Sequence, residues 1–224
     1  MYTNTKTPMN SPTASLPTLT TDIVPFAIRG ERLEVLLARQ TTGWGLPGGP
    51  VGVDEDLDAA ARRQLAEQTG LSDVYLEQLY TFGRPNRNPA RRMVAVAYFA
   101  LIPIASGSAG VPAAGDAARW AAVDEPPPLV LDHGEIVAVA RRRLAAKLLY
   151  STIALQLMPE RFTLSELQAV HEIILGEPLD KRNFRKRVLA MDRIEATGEL
   201  ARHGGRRPAR LYRALHPGQV ELIK

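Results

Sequence analysis

Glu55, Arg63, Gln64, Glu67 and Gln68 follow closely on the glycines Gly48, Gly49 and Gly52. Positions 64, 67 and 68 stand three and four residues apart, so on a helix their side chains share one face. Glycines ahead of that face let backbone approach a ligand closely. The combination suits a small polyanion. Metal-assisted hydrolysis of it would need charged oxygens, because magnesium is a hard cation usually held between one or two carboxylates and the phosphates of its substrate. With Gln64 and Gln68 neutral, the face offers one formal negative charge, at Glu67. Magnesium is therefore possible but weakened, with Glu67 its one weak ligand, and no cofactor is required for binding.

Positioning these residues falls to a helix and the strands before it. From 57 to 69 the helix formers Ala59, Ala60, Ala61, Leu65 and Ala66 dominate, Asp54, Glu55 and Asp56 stand where a helix N-terminus favours negative charge, and Gly70 supplies a stop. Strand-like runs at 22–28 and 32–39, split by Gly30 and Glu31, deliver the chain to Trp44 and the glycines. Gly43, Gly45 and Gly48 fit G-x-G-x-x-G, but a dinucleotide fingerprint opens its helix inside the motif, and Pro47, Pro50 and Gly52 forbid that here. Further strands are expected at 74–81, 93–104 and 120–123, with 105–118 a surface loop of Gly, Ala and Ser. Between the first two lie Arg84, Arg87, Arg91 and Arg92, able to pair with diphosphate oxygens in bidentate fashion; Arg84 and Arg92 join Gly48, Gly49, Glu55, Arg63 and Glu67 as ligand-binding candidates. An amphipathic helix at 134–149 follows, with Ile136, Val137, Ala140, Leu144, Ala145, Leu148 and Leu149 on one stripe. His133 before it reads as a helix-end partner, and the four histidines show no zinc-ligand spacing.

The stretch resembles the box of the Nudix hydrolase family, G-x5-E-x7-R-E-U-x-E-E-x-G-U with U a bulky aliphatic. It matches at Gly49, Glu55, Arg63, Leu65, Glu67, Gly70 and Leu71 and departs at Gln64 and Gln68. In the family those two positions, with that of Glu67, carry the magnesium-binding carboxylates. The favoured reading is a pocket that binds a nucleoside diphosphate compound and no longer hydrolyses it well. A working magnesium-dependent pyrophosphatase, with Glu67, Glu55 and another carboxylate on the metal, is the alternative.

The last third of the chain carries a separate signal. Residues 1–150 hold fifteen Lys and Arg against fifteen Asp and Glu, whereas from Lys181 to Arg213 the count is eleven against three. So concentrated a basic patch is the electrostatic footprint of nucleic-acid binding. Thr163 and Glu166 form a capping box opening an apolar-striped helix through Leu167, Val170, Ile173, Ile174 and Leu175 to Gly176. Asp180 can cap a second helix, with Phe184, Val188 and Leu189 inward and Lys181, Arg182, Asn183, Arg185 and Lys186 available to DNA. Two strands at 194–201 and 209–215, joined at Gly204 and Gly205, add Arg206, Arg207 and Arg210. Helix, turn, basic helix and basic hairpin in that order look like a winged helix, in which the helix enters the major groove and the wing reaches phosphate or minor groove.

Residues 1–20, mostly Ser, Thr, Pro and Asn, are expected to be a disordered tail; 21–149 form the sensing domain and 150–224 the DNA-binding domain. The chain has no cysteine, so disulfides and thiolate metal sites are excluded. No run is apolar and long enough to suggest a membrane span or leader, and a cytoplasmic protein is expected.

Taken together, WGLPGG at 44–49, the altered box, GRPNR at 83–87, LDKRNFR at 179–185 and RPARLYR at 207–213 make the chain similar to the NrtR family, bacterial Nudix-related repressors of NAD biosynthesis and salvage genes. The resemblance implies an α/β (α+β) fold, a Nudix-like α/β/α sandwich followed by a winged helix-turn-helix. It further implies a homodimer on a palindromic double-stranded DNA operator, released by ADP-ribose or a related metabolite, with Gln64, Glu67 and Gln68 lining the pocket. A repressor of the same architecture that senses a sugar is a further alternative.

Overall fold

The computed structural model describes residues 16–103, 117–201 and 208–223. Its first part is one mixed sheet between two helices: β1 (Thr18–Arg29), β2 (Arg32–Gln40), β3 (Gly43–Gly45), β4 (Gly48–Pro50), α1 (Leu57–Thr69), β5 (Tyr75–Phe82), β6 (Met93–Leu101), β7 (Ala118–Ala122) and α2 (His133–Lys147). The strand order is β3-β2-β1-β6-β5, with β4 paired to β1 and β7 to β2. β1 and β6 run parallel and the other pairs antiparallel. β1 and β2 are joined by Gly30 and Glu31, both at positive φ (53° and 66°), which matches the two-residue turn that suits the strand twist.

Alternation along the strands sorts the core into two layers, because successive side chains point to opposite faces. Ile23, Ala27, Leu36, Val96 and Tyr98 pack with Ala61 and Leu65 of α1 on one face. Val24, Phe26, Val35, Leu37, Ala97 and Phe99 pack with Ile136, Val137, Ala140 and Leu144 of α2 on the other. The result is the expected α/β/α sandwich.

The second apolar layer does not end at α2. It continues through Leu148, Ile153 and Leu157, the last two on a 3-10 turn at Ile153–Leu157, into Leu164, Leu167, Val170, Phe184 and Val188. These last belong to the remaining elements: β8 (Phe162–Thr163), α3 (Leu164–Leu175), α4 (Lys181–Ala190), β9 (Ile194–Ala201) and β10 (Ala209–Ala214). α3 packs against α2, and the strands form a small sheet of order β8-β10-β9. The Thr163–Glu166 capping box is formed, and Gly176 closes α3 at φ 76°. Gln168 and Glu172 then pin the turn into α4 through the backbone of Leu179. This is the winged helix, although the hairpin tip at 202–207, with Arg206 and Arg207, lies outside the described residues.

Three local expectations change. Residues 18–20, assigned to the tail, are the start of β1, held between β6 and β4; residues 1–15 lie outside the description. The expected strand at 93–104 ends at Leu101, and most of the loop at 105–118 is likewise undescribed. Leu149 and Leu189, each expected on an apolar face, are 67% and 50% exposed: Leu149 lies beyond the end of α2 at Lys147, and Leu189 stands about 100° round its helix from Val188.

Candidate ligand cavity and nucleic-acid interface

α1 is fixed at its N-terminus by the Asp56 carboxylate, which accepts from the Ala59 N–H at 2.7 Å, and at its end by Gly70 at φ 72°. Arg63 then gathers both nearby carboxylates, donating to Glu55 (2.5 and 3.0 Å) and to Glu67 (3.2 Å). Glu55 also accepts from the Gly52 N–H at 2.6 Å. The Arg63 hydrogen bond first and the Gly52 amide second lower the Glu55 pKa to about 2. The glutamines face β4. Gln68 donates to the Gly48 carbonyl (2.7 Å) and to the Gln64 side-chain oxygen (2.7 Å) and accepts from the Gly48 N–H (3.3 Å); Gln64 donates to the Pro50 carbonyl (3.4 Å). Gly48 must be glycine, because a Cβ there would stand 2.3 Å from the Thr21 carbonyl oxygen.

A cavity of about 670 Å³ uses β4 as one wall. Its other walls are the β2–β3 turn from Gln40 to Gly43, Asn88 and Arg91 from the β5–β6 loop, residues 128–131 and His133 before and at the start of α2, and Thr20 and Asp22 of β1. That volume suits a nucleotide-sized ligand. Of the residues expected to bind ligand, Gly48 and Gly49 line it. Glu55, Arg63, Glu67 and the two glutamines do not; Arg63, Gln64 and Gln68 bond its β4 wall from α1, and Glu55 and Glu67 hold Arg63. Arg84 and Arg92 are also displaced from the cavity: Arg84 is taken by Glu135 in a bidentate pair (2.9 and 3.0 Å), and Arg92 donates to the carbonyls of Arg84 and Met93. Arg91 is the arginine of that loop which reaches the cavity.

Behind the cavity lies a cluster that the sequence did not announce. The Arg87 side chain is 1% exposed and bridges Asp22 of β1 (3.0 Å) and Asp132 at the N-terminus of α2 (2.7 and 2.9 Å). Burial opposes its charge, but the hydrogen bonds and field of the two carboxylates together raise its pKa. Its Nη1 atom is buried with no hydrogen-bond partner among the described residues. His133 accepts the Leu46 N–H on Nδ1 at 2.8 Å, leaving Nε2 toward Asp22, and burial lowers its pKa, so the ring is neutral. Asp22 and His133 thus join the cavity lining to β1 and α2.

In the winged helix α4 presents a basic face to solvent. Phe184 and Val188 are buried, while Lys181, Arg182, Asn183, Arg185, Lys186 and Arg187 are exposed. Lys181, Arg182, Arg185 and Lys186 have no ion pair among the described residues, and neither does exposed Arg210 on β10. By contrast Arg161, Arg193 and Arg213, elsewhere in the same domain, are paired with Glu199, Glu221 and Glu195. The free charges therefore collect where the expected DNA-binding residues are. Arg187, which the sequence reading passed over, lies over the Phe184 ring at 5.9 Å.

Beneath α4, His171 of α3 meets the Phe184 ring edge-on at 5.0 Å and its Nδ1 lies 2.9 Å from the Leu167 carbonyl. Burial, the largest cause, lowers its pKa to about 4. The unfolded chain would bind that proton near 6.5, so the contribution to stability is complete above that pH and is lost as pH falls towards 4, on the order of 3 kcal/mol in full. His171→Leu is expected to lose less stability than the parent between about pH 7 and 5, measured by urea denaturation; parallel losses would contradict a buried neutral imidazole.

A NUDIX domain model matches residues 18–142, and a model of the NrtR DNA-binding winged helix domain matches residues 154–214. An Acinetobacter baylyi protein named ADPR responsive transcriptional repressor NtrR is 36% identical over 206 residues, 88% of this chain and 82% of that protein. Among solved structures, Shewanella oneidensis NrtR complexed with a 27mer DNA is similar at TM-score 0.79 and 36% identity, over 88% of this chain and 93% of that one. The NUDIX domain of the same protein complexed with ADP ribose is similar at TM-score 0.50 and 32% identity, over 58% of this chain and 89% of that one.

Proposed function

The chain belongs to the NrtR family, a NUDIX domain continuous with an NrtR winged helix, and from that premise we propose that it is a DNA-binding transcriptional repressor whose grip on DNA is regulated by ADP-ribose. One observation supports this most: α4, whose basic face is unpaired among the described residues, and Leu46 of the nucleotide-sized cavity are joined by one apolar core, with α2 touching both halves. The effector would lie against Gly48, Gly49 and Arg91. The finer reading is a cytoplasmic homodimer on a palindromic operator of NAD biosynthesis and salvage genes. Ligand would favour a dimer geometry in which the two α4 helices no longer match successive major grooves, so DNA is released.

Binding of the purified protein to palindromic and random duplexes at fixed salt, with and without ADP-ribose, tests this. Selective binding weakened by ADP-ribose that is recovered intact is the expected result. Linkage is reciprocal, so operator DNA must weaken ADP-ribose binding by the same factor. Equal ADP-ribose affinity with and without operator would rule the coupling out, and rapid breakdown of ADP-ribose with unselective DNA binding would make the protein an enzyme.

A further inference from the structure

We infer that Gln64 and Gln68 are positioning residues, a carboxamide clamp that holds the Gly48–Pro50 wall of the cavity where the Nudix pattern places magnesium-binding carboxylates, and that the ligand is consequently bound without a metal. The identity of the ligand rests on the function proposed above; the clamp does not.

The residues present do not fit magnesium. The two glutamates of the stretch, Glu55 and Glu67, are both engaged by Arg63, Asp56 caps α1 and Asp58 accepts from the Tyr98 hydroxyl. Among the described residues no three of His, Cys, Asp or Glu are grouped so as to hold a metal ion. The wall carbonyls of Gly48 and Pro50, whose oxygens could otherwise face a cation, accept hydrogen bonds from the amide nitrogens of Gln68 and Gln64.

The hydrogen-bond pattern also fixes which way each amide faces. A carbonyl oxygen only accepts, so the nitrogen of Gln68 must face Gly48, and its oxygen is left for the Gly48 N–H. Gln64 gives its nitrogen to Pro50 and its oxygen to Gln68, so three polar groups of β4 and both side chains are satisfied in one chain of bonds. A glutamate has no N–H to give. At position 68 it would set a charged oxygen against the Gly48 carbonyl at the present 2.7 Å, a contact that only an intervening cation or a proton reconciles. Gln64 is 7% exposed, which leaves it little room to turn towards water, and the absent Cβ of Gly49 makes space for it, since that atom would lie 2.6 Å from the Gln64 nitrogen. The substitutions that remove the metal's ligands thus also supply what replaces the metal: neutral donors that fasten the wall to α1.

Thermal melting of the full chain in EDTA and in magnesium reads the clamp without any ligand. The parent should melt at one temperature in both, whereas Gln64→Glu/Gln68→Glu should melt lower than the parent in EDTA and rise by several degrees with magnesium, as binding to the folded state alone requires. A parent that melts lower in EDTA, or a double variant that matches the parent there, overturns the inference. Should the double variant not fold, Gln68→Met removes the donors at similar length. It is expected to weaken ADP-ribose binding by roughly tenfold with ligand-free DNA binding unchanged; unchanged ADP-ribose affinity overturns the positioning role. In calorimetry the parent should bind ADP-ribose equally in EDTA and magnesium, and a tenfold loss in EDTA overturns metal-free binding. No ADP-ribose binding in either buffer would count against the proposed function and leave the melting arms to decide the clamp.

Discussion

Replacing Arg87 by Met is expected to lower the unfolding free energy by about 3–5 kcal/mol, the loss typical of removing one partner from a buried ion pair. Met fills much of the volume, so the effect isolates the charge. Asp22 and Asp132 would remain, with side chains 9% and 16% exposed, facing each other across the vacated guanidinium with no cation to oppose them. Arg87 ties together three segments distant in sequence: β1, the β5–β6 loop and the start of α2. The loss should appear as a lower urea midpoint with an unchanged slope. Asp22→Asn is the informative companion, because it leaves the bidentate Arg87–Asp132 pair intact and should be milder. An Arg87→Met protein within about 1 kcal/mol of the parent would show that the pair barely repays its own desolvation.

Phe184→Ala is expected to cost a similar amount, about 3–5 kcal/mol, and to abolish selective DNA binding while ADP-ribose affinity changes little. The ring is 3% exposed, lies edge-on to His171 and carries Arg187 over its face, so it seats α4 on α3. Removing it leaves the exposed bases present but no longer held in register for base edges. DNA binding should then retain its salt dependence and lose its sequence preference, which filter binding across a salt series separates. Retained selectivity would mean that α4 is held by Asp180 and Val188 alone.

What could be read from the chain alone was local. The 57–69 helix with its acidic start and Gly70, the Thr163–Glu166 capping box and the α4–hairpin succession are each encoded within a few residues, and the structure forms all of them. The cavity was not local. Asp22, Arg87 and Asp132 lie 65 and 45 residues apart, and the Leu46–His133 hydrogen bond spans 87. Within the arginine loop composition could not say which side chain points where, because Glu135, 51 residues on, captures Arg84 and leaves Arg91 for the cavity. The glutamines were legible as lost charges. Their new partners, the carbonyls of Gly48 and Pro50, required the strand β4, whose three residues carry no strand signal of their own.

The unbroken interior running from the large sheet through α2 into α3 and α4 constrains how such a chain can diverge. Ile136, Val137, Ala140 and Leu144 share one apolar layer with strand residues such as Val35 and Phe99 and with winged-helix residues such as Leu167, so a change suited to one side must be tolerated by the other. A DNA reader borrowed from a cousin would have to bring an α3 that fits this α2, which argues against free exchange of cassettes. The outward residues of α4 lie outside that layer. Operator preference can therefore be rewritten one exposed side chain at a time, while the link between the two halves is inherited whole.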